Sequence, residues 1–242
     1  GVTNKLLEKK VRKTFLGFGK AAEYFKKKAK LVVAGNPVRD EFMNTDRNSA
    51  RAELGFADDE FVVFAFGGSQ GAGRINKAMM NVIREFNGKE GIRVCLGAVS
   101  YYYQGMLESF KEEDLRLEDN IIIHEFIKDM AKYLAACDLV VSRSGALTVA
   151  ETTVSGRPAI FIPSPMVTGN HQYYNALAVA EEGGALIIEE KDLEDSRLIE
   201  KILELKDNPE LLADMAAASR RCGPDKATDI ICDSIYGDYM NE

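Results

Sequence analysis

The sequence predicts an α/β fold, a doubly wound parallel sheet with helices on both faces. Two observations predict it. From residue 61 onward, short continuous runs of Val, Ile and Phe alternate with helix-length segments, the pattern of strands buried on both faces and joined by crossover helices. A glycine-rich run, Gly67 to Gly73, lies between one such strand and its helix. Sheets of this Rossmann-like kind bind ligands at the carboxyl ends of their strands.

Period and punctuation give the elements in order. Asn4 to Arg12 reads as helix, Thr14 to Phe18 as strand, Ala21 to Lys28 as helix and Leu31 to Ala34 as strand, ending at the break Gly35-Asn36-Pro37. A short helix follows at Ser49 to Leu54. The repeating unit then begins: strand Phe61 to Phe66, the glycine-rich loop, and helix Ile75 to Phe86. Strands are expected at Ile92 to Leu96, Ile121 to Glu125, Leu139 to Ser142, Ala159 to Ile162 and Ala185 to Ile188. Helices fall between them at Tyr102 to Phe110, Met130 to Ala136, Leu147 to Val154 and His171 to Glu181, and two helices close the chain. No internal repeat or low-complexity stretch interrupts the pattern. Residues 1–36 read as the closing strand, helix and strand of a preceding domain, and 37–225 as the ligand-binding domain. Residues 226–242 read as a terminal helix packing back on the first segment through Ile230, Ile231, Ile235 and Tyr236.

The 242 residues suffice for one large α/β domain, or one domain with part of another. Charge divides them unevenly. Residues 1–30 carry ten Lys/Arg and two Glu, a net of +8, against −7 for the whole chain. With Leu6, Leu7, Phe15, Leu16, Phe18 and Phe25 interleaved, this stretch fits contact with an anionic membrane surface. It equally fits a strand and helix with solvated lysines. The acidic remainder argues against a nucleic-acid partner. Cys95, Cys137, Cys222 and Cys232 have no metal-binding or paired spacing and read as thiols in a reducing compartment, the cytoplasm. No apolar run approaches the roughly 20 residues that span a bilayer, and the first residues do not resemble a signal peptide.

Three segments carry chemistry. In Gly67-Gly68-Ser69-Gln70-Gly71-Ala72-Gly73, backbone N–H groups and a helix N-terminus face one small volume, which makes an anion site. It matches neither the P-loop nor the G-x-G-x-x-G spacing, and a tight structural turn is the bland alternative. Arg143-Ser144-Gly145-Ala146-Leu147-Thr148 repeats the geometry at another strand end. Glu151, about one turn into that helix, is placed either to accept hydrogen bonds from a ribose diol or simply to complement a helix N-terminus. After the loop Pro163 to Asn170, His171, Gln172 and Asn175 offer groups suited to sugar hydroxyls. His171 has no visible carboxylate to orient it as a base, and His124, between apolar strand residues, reads as structural. No cluster suggests a metal site.

Together, Gly35-Asn36-Pro37-Val38-Arg39, Gly67 to Ala72, Phe126-Ile127-Lys128-Asp129-Met130, Arg143 to Glu151 and His171-Gln172-Tyr173-Tyr174-Asn175-Ala176 resemble the ordered signatures of the MurG family. These are two-domain GT-B enzymes that move N-acetylglucosamine from UDP to lipid I in peptidoglycan synthesis. The resemblance covers nearly the whole chain and implies the donor-binding half of the GT-B fold. It implies that Ser69, flanked by Gly68 and Gln70, contacts the diphosphate. Leu147 and Thr148 would hold it from the second helix end, at the turn formed by Arg143, Ser144, Gly145 and Ala146. Ile127, after Phe126, would receive the uracil, with Met130 flanking the base. Glu151 would bind the ribose hydroxyls, Gln172 and Asn175 would read the sugar, and Arg39 would face the site from the hinge. His171 stands where some members carry glutamine. The family's amino-terminal acceptor domain, with its histidine and lipid-facing patch, is not in this chain. The implied partners are therefore UDP-N-acetylglucosamine here and the lipid-linked muramyl-pentapeptide through that other domain. The implied chemistry is an inverting transfer without metal or cofactor, at the inner face of the bacterial plasma membrane. No catalytic base is assigned to these residues, which are expected to be inactive alone. Donor-binding subunits of other two-part GT-B transferases, and a non-catalytic nucleotide-sugar sensor, are the rival readings.

Overall fold

The computed structural model describes residues 2–68, 72–194 and 196–240. Its main sheet has six parallel strands: β3 (Phe61–Phe66), β4 (Ile92–Gly97), β5 (Ile121–His124), β6 (Leu139–Ser142), β7 (Ala159–Phe161) and β8 (Ala185–Ile187). Their spatial order is β5-β4-β3-β6-β7-β8. The chain thus builds outward from β3 to β5, then returns to β3's other side to lay down β6. This is the doubly wound order, with its switch point between β3 and β6. Register aligns Phe66 with Ser142 across that switch and with Gly97 on the other side.

Side chains of β3 alternate between two cores, which is why its sequence is apolar throughout. Val63 and Ala65 join Ile75, Met79 and Ile83 of α4 (Gly73–Phe86), Met106 and Phe110 of α5 (Ser100–Glu112), and Leu198 and Ile202 of α9 (Arg197–Lys206). Val62, Phe64 and Phe66 join Ala50 of α3 (Arg47–Leu54), Leu134 of α6 (Met130–Ala136), Val149 of α7 (Ala146–Val154) and Ala176 of α8 (His171–Ala180).

Several expectations need correction. The first helix is α1 (Val2–Leu7), shorter than expected. The segment expected as a helix from Ala21 to Lys28 forms two 3-10 turns, Gly19–Tyr24 and Lys28–Lys30. There the backbone N–H of Lys27 bonds the carboxylate of buried Glu8 instead of a helical carbonyl, and three adjacent lysines repel. A four-residue helix, α2 (Glu41–Asn44), is too short to show periodicity. Helices α3, α4 and α5 each start two residues earlier than expected. Three helices, not two, close the chain, because Asn208 and Pro209 start α10 (Pro209–Cys222), Asn208 accepting from Leu211 N at 3.0 Å. Gly223 and Pro224 then separate α10 from α11 (Ala227–Met240). Such Asn caps and N1 prolines are helix-start signals.

Residues 14–36 form a second, two-stranded parallel sheet, β1 (Thr14–Leu16) with β2 (Leu31–Val33). Gly35 has φ +85°, and a Cβ there would stand 2.2 Å from Pro224 Cβ, so only glycine fits this crossing. Lys13 Nζ bonds Ser234 Oγ on α11 at 2.8 Å, while Ile230, Ile235 and Tyr236 of α11 remain exposed. Among the described residues no helix is long and apolar enough to cross a membrane.

The amino edge of the main sheet is locked by charge. Arg51, 1% exposed, reaches Asp138 Oδ2 at 2.7 Å and the carbonyls of Ala136, Ala57, Asp58 and Glu60. Asp138 also accepts from Val62 N at 2.7 Å and Arg47 at 2.6 Å. Removing the guanidinium leaves Asp138 with Arg47 as its remaining cationic partner and strands several buried carbonyls, so Arg51→Met should cost about 3 kcal/mol. Urea denaturation checks this, and a loss below about 1 kcal/mol would show that the lock contributes little.

Candidate functional site

The site is the carboxyl edge around the β3/β6 switch, where several helices begin. A helix leaves its first N–H groups without intrahelical partners, and a side-chain cap normally takes one. Here α4 starts after Ala72 and α7 after Gly145, and neither cap position supplies a side-chain acceptor. Among the described residues no side-chain cap takes the first N–H groups of either helix, so both starts turn donors and positive dipole ends toward the crevice. Ser69 and Gln70, with Gly71, lie outside the described residues. Gly68 ends the β3 side of the loop at φ +76°, a conformation suited to glycine.

On the β6 side, Ala146 and Leu147 are exposed at the first turn of α7 and Thr148 is half-buried. Glu151 comes one turn later. Burial raises its carboxyl pKa above the usual range, while the nearby Arg39 charge pulls it down and Glu41 raises it. Arg39 pairs with Glu41 at 2.9 Å and lies 5.2 Å from the centroid of the Phe42 ring.

Arg143 is a brace. Its guanidinium donates to Ile162 O at 3.0 Å and Glu190 Oε1 at 2.8 Å, tying the ends of β6, β7 and β8. Arg74 adds a bond to Glu190 O at 3.2 Å. Ser144, fully buried, donates from Oγ to Gln172 O at 2.8 Å and accepts from Asn175 Nδ2 at 3.0 Å through its carbonyl. Gln172 Oε1 accepts from Ser164 N at 2.9 Å. The α7 turn, the β7 loop and the start of α8 are thus one hydrogen-bonded block. His171 donates from Nδ1 to Thr168 O at 3.0 Å and caps no helix N–H. The α8 start instead follows two left-handed residues, Gly169 (φ 67°) and Asn170 (φ 51°).

On the β5 side, Phe126 is 73% exposed while Ile127 is buried. A Cβ at Gly97 would stand 3.0 Å from Ile127 Cγ1, so glycine at the end of β4 lets Ile127 seat beneath it. Met130 opens α6 and is half-buried against the second core. His124 Nε2 meets Tyr133 Oη at 2.5 Å. Burial lowers the histidine pKa and pushes the tyrosine up to about 12, so both are neutral at pH 7. That pair is structural, as its strand context implied. Among the described residues no three His, Cys, Asp or Glu side chains are grouped to hold a metal.

Sequence reasoning did not find Gly97, Glu190, Arg74 or Asn76, whose Nδ2 donates to Ala98 O at 3.0 Å. Their partners lie on other strands and helices, and no local spacing marks them.

A sequence profile described as the glycosyltransferase family 28 C-terminal domain matches residues 62–231. The chain belongs to this family. Its family 28 domain resembles curated proteins named UDP-N-acetylglucosamine--N-acetylmuramyl-(pentapeptide) pyrophosphoryl-undecaprenol N-acetylglucosamine transferase. That of Acetivibrio thermocellus is 40% identical over 242 residues, and that of Desulforudis audaxviator 38% identical over 237. The chain spans 65% and 64% of their lengths, and the alignments cover 100% and 97% of the chain. Among solved structures, Acinetobacter baumannii MurG superposes with a TM-score of 0.74 at 24% identity, over 98% of this chain and 63% of that one. The UDP-GlcNAc 2-epimerase of Neisseria meningitidis, bound to UDP-GlcNAc, gives 0.68 at 14% identity over 98% of this chain and 64% of that one. At these identities the two structures speak to the fold of the family 28 domain.

Proposed function

We propose that these residues form the UDP-N-acetylglucosamine-binding half of an inverting transferase that glycosylates a lipid-linked N-acetylmuramyl-pentapeptide in peptidoglycan synthesis. One observation carries the reading: two uncapped helix starts, α4 and α7, converge on the β3/β6 switch, with the Glu151 carboxylate one turn inside the second. That arrangement suits a nucleoside diphosphate, whose charge the N–H groups take and whose ribose diol the carboxylate accepts. The names of the relatives support the choice of UDP-N-acetylglucosamine and of the acceptor.

The residue roles follow. The turn Gly68, Ser69, Gln70 and the first amides of α7, with Leu147 and Thr148, hold the diphosphate. The backbone after Phe126 reads the uracil at Ile127, and Met130 flanks the base. Arg143, Ser144, Gly145 and Ala146 shape the α7 turn. Gln172 and Asn175, held by their bonds to Ser164 and Ser144, face the sugar with His171, and Arg39 approaches from the hinge.

In the reaction the sugar C1–O bond to the β-phosphate breaks while the acceptor 4-hydroxyl oxygen bonds C1 from the opposite face and gives its proton to a base. The departing diphosphate gains charge. Preorganised N–H donors stabilise that charge at no reorganisation cost. We assign the base, acceptor binding and membrane contact to an acceptor domain of which residues 1–36 are the edge, with 37–225 as donor domain and α11 bridging back.

UDP should bind at least about tenfold more tightly than ADP or GDP, roughly 1.4 kcal/mol, in calorimetry. Equal affinities would contradict a uracil-reading backbone. Glu151→Ala should weaken UDP by about 1–3 kcal/mol at neutral pH. The ionised carboxylate is the acceptor and burial raises its pKa, so the wild-type advantage should be full at neutral pH and shrink as pH falls and the carboxylate takes up its proton. A pH-independent gap, or none, would return Glu151 to a helix-start role.

The purified chain alone should give no transfer to a lipid-linked muramyl-pentapeptide, since proton removal by a positioned base is typically worth about 10²–10⁴-fold. Supplying a separate acceptor domain should restore transfer, whereas turnover by the chain alone would place the base among these residues.

A further inference from the structure

Gly73 opens α4 with an ordinary negative φ, so the backbone does not require glycine there, and glycine in a helix is less stable than alanine. Its neighbour supplies the reason. The three atoms nearest to where its Cβ would stand all belong to Tyr102: Oη at 3.1 Å, Cε1 at 3.3 Å and Cζ at 3.4 Å. Cα–Cβ bonds in a helix lean toward its N-terminus. A hydroxyl in contact with that point therefore sits at the N-terminal rim of α4, beside the first N–H groups of the helix.

Tyr102 is held there from a distance. It lies in the first turn of α5, whose cap residue Val99 takes φ 66° and ψ 140°, an uncommon conformation for a β-branched side chain. The preceding residue, Ala98, is fixed by Asn76, 3% exposed, whose Nδ2 donates to its carbonyl at 3.0 Å. Tyr102 N in turn bonds Val99 O at 2.9 Å. The Tyr101 ring stands edge-on to that of Tyr102, with centroids 4.9 Å apart.

We propose that Tyr102 is a binding residue for the donor diphosphate, its hydroxyl donating to a phosphate oxygen held at the start of α4, and that position 73 is glycine to admit its ring. This rests on the donor-binding reading above. A phenol adds a charge-assisted hydrogen bond where Ala72, the cap residue, has no side-chain donor.

The test compares Tyr102→Phe and Gly73→Ala with the wild type for binding of UDP and of uridine, alongside thermal melting. Tyr102→Phe keeps the ring and removes only the hydroxyl. It should weaken UDP roughly tenfold, about 1.4 kcal/mol, while uridine affinity and melting temperature stay unchanged. Gly73→Ala should also weaken UDP selectively, by displacing the ring, without lowering stability. UDP affinity unchanged in Tyr102→Phe, or equal losses for UDP and uridine, would overturn the proposal. If the wild type binds neither ligand, the donor reading itself fails and this inference with it.

Discussion

Strand β3 is hydrogen-bonded on both edges and buried on both faces, and the rest of the structure follows from that. Its partners β4 and β6 lie on opposite sides, so the chain leaving β3 and the chain leaving β6 turn onto opposite faces of the sheet. A crevice opens between them, and the helices that cover the two faces start beside it. The position and polarity of the candidate site are thus consequences of strand order. Burial of Val62 to Phe66 on alternate faces gives β3 its place inside the sheet, with apolar packing on each side.

The two edges of the sheet are finished differently. At the amino edge, Asp138 and Arg51 satisfy strand N–H and carbonyl groups with one buried network, so polar atoms there have no call on a ligand. At the carboxyl edge, side chains brace the loops against one another: Arg143 to Glu190, Ser144 to Gln172, Asn175 to Ser144. None of these braces caps α4 or α7. Charged groups close the amino edge, and at the carboxyl edge the starts of α4 and α7 carry no side-chain cap, leaving donors of the kind that preorganised electrostatic stabilisation uses.

The main sheet was legible because its strands are apolar on both faces and its helices are amphipathic. Helix α4, with Ile75, Ala78, Met79, Val82, Ile83 and Phe86 on its buried side, follows the 3.6 period directly. In the amino-terminal segment the two strands were legible, but the helices were not, because a buried Glu8 and clustered lysines override local helix preference there. In the site, the helix starts and Glu151 were visible as spacing. Arg143 was visible only as part of a motif, and its engagement with Glu190, 47 residues away, carries no local signal. The Gly73 and Tyr102 contact is of the same kind: the glycine stands in the sequence, but its reason stands on another helix.

Amide hydrogen exchange with and without saturating UDP tests the central claim most directly, since protection follows the closing of unpaired N–H groups onto a ligand. The account predicts slowed exchange at the starts of α4 and α7, residues 73–75 and 146–148, and along 126–130, with the amino edge around Arg51 and Asp138 unchanged. Protection confined to residues 14–36 and α11, or no change at the starts of α4 and α7, would contradict it.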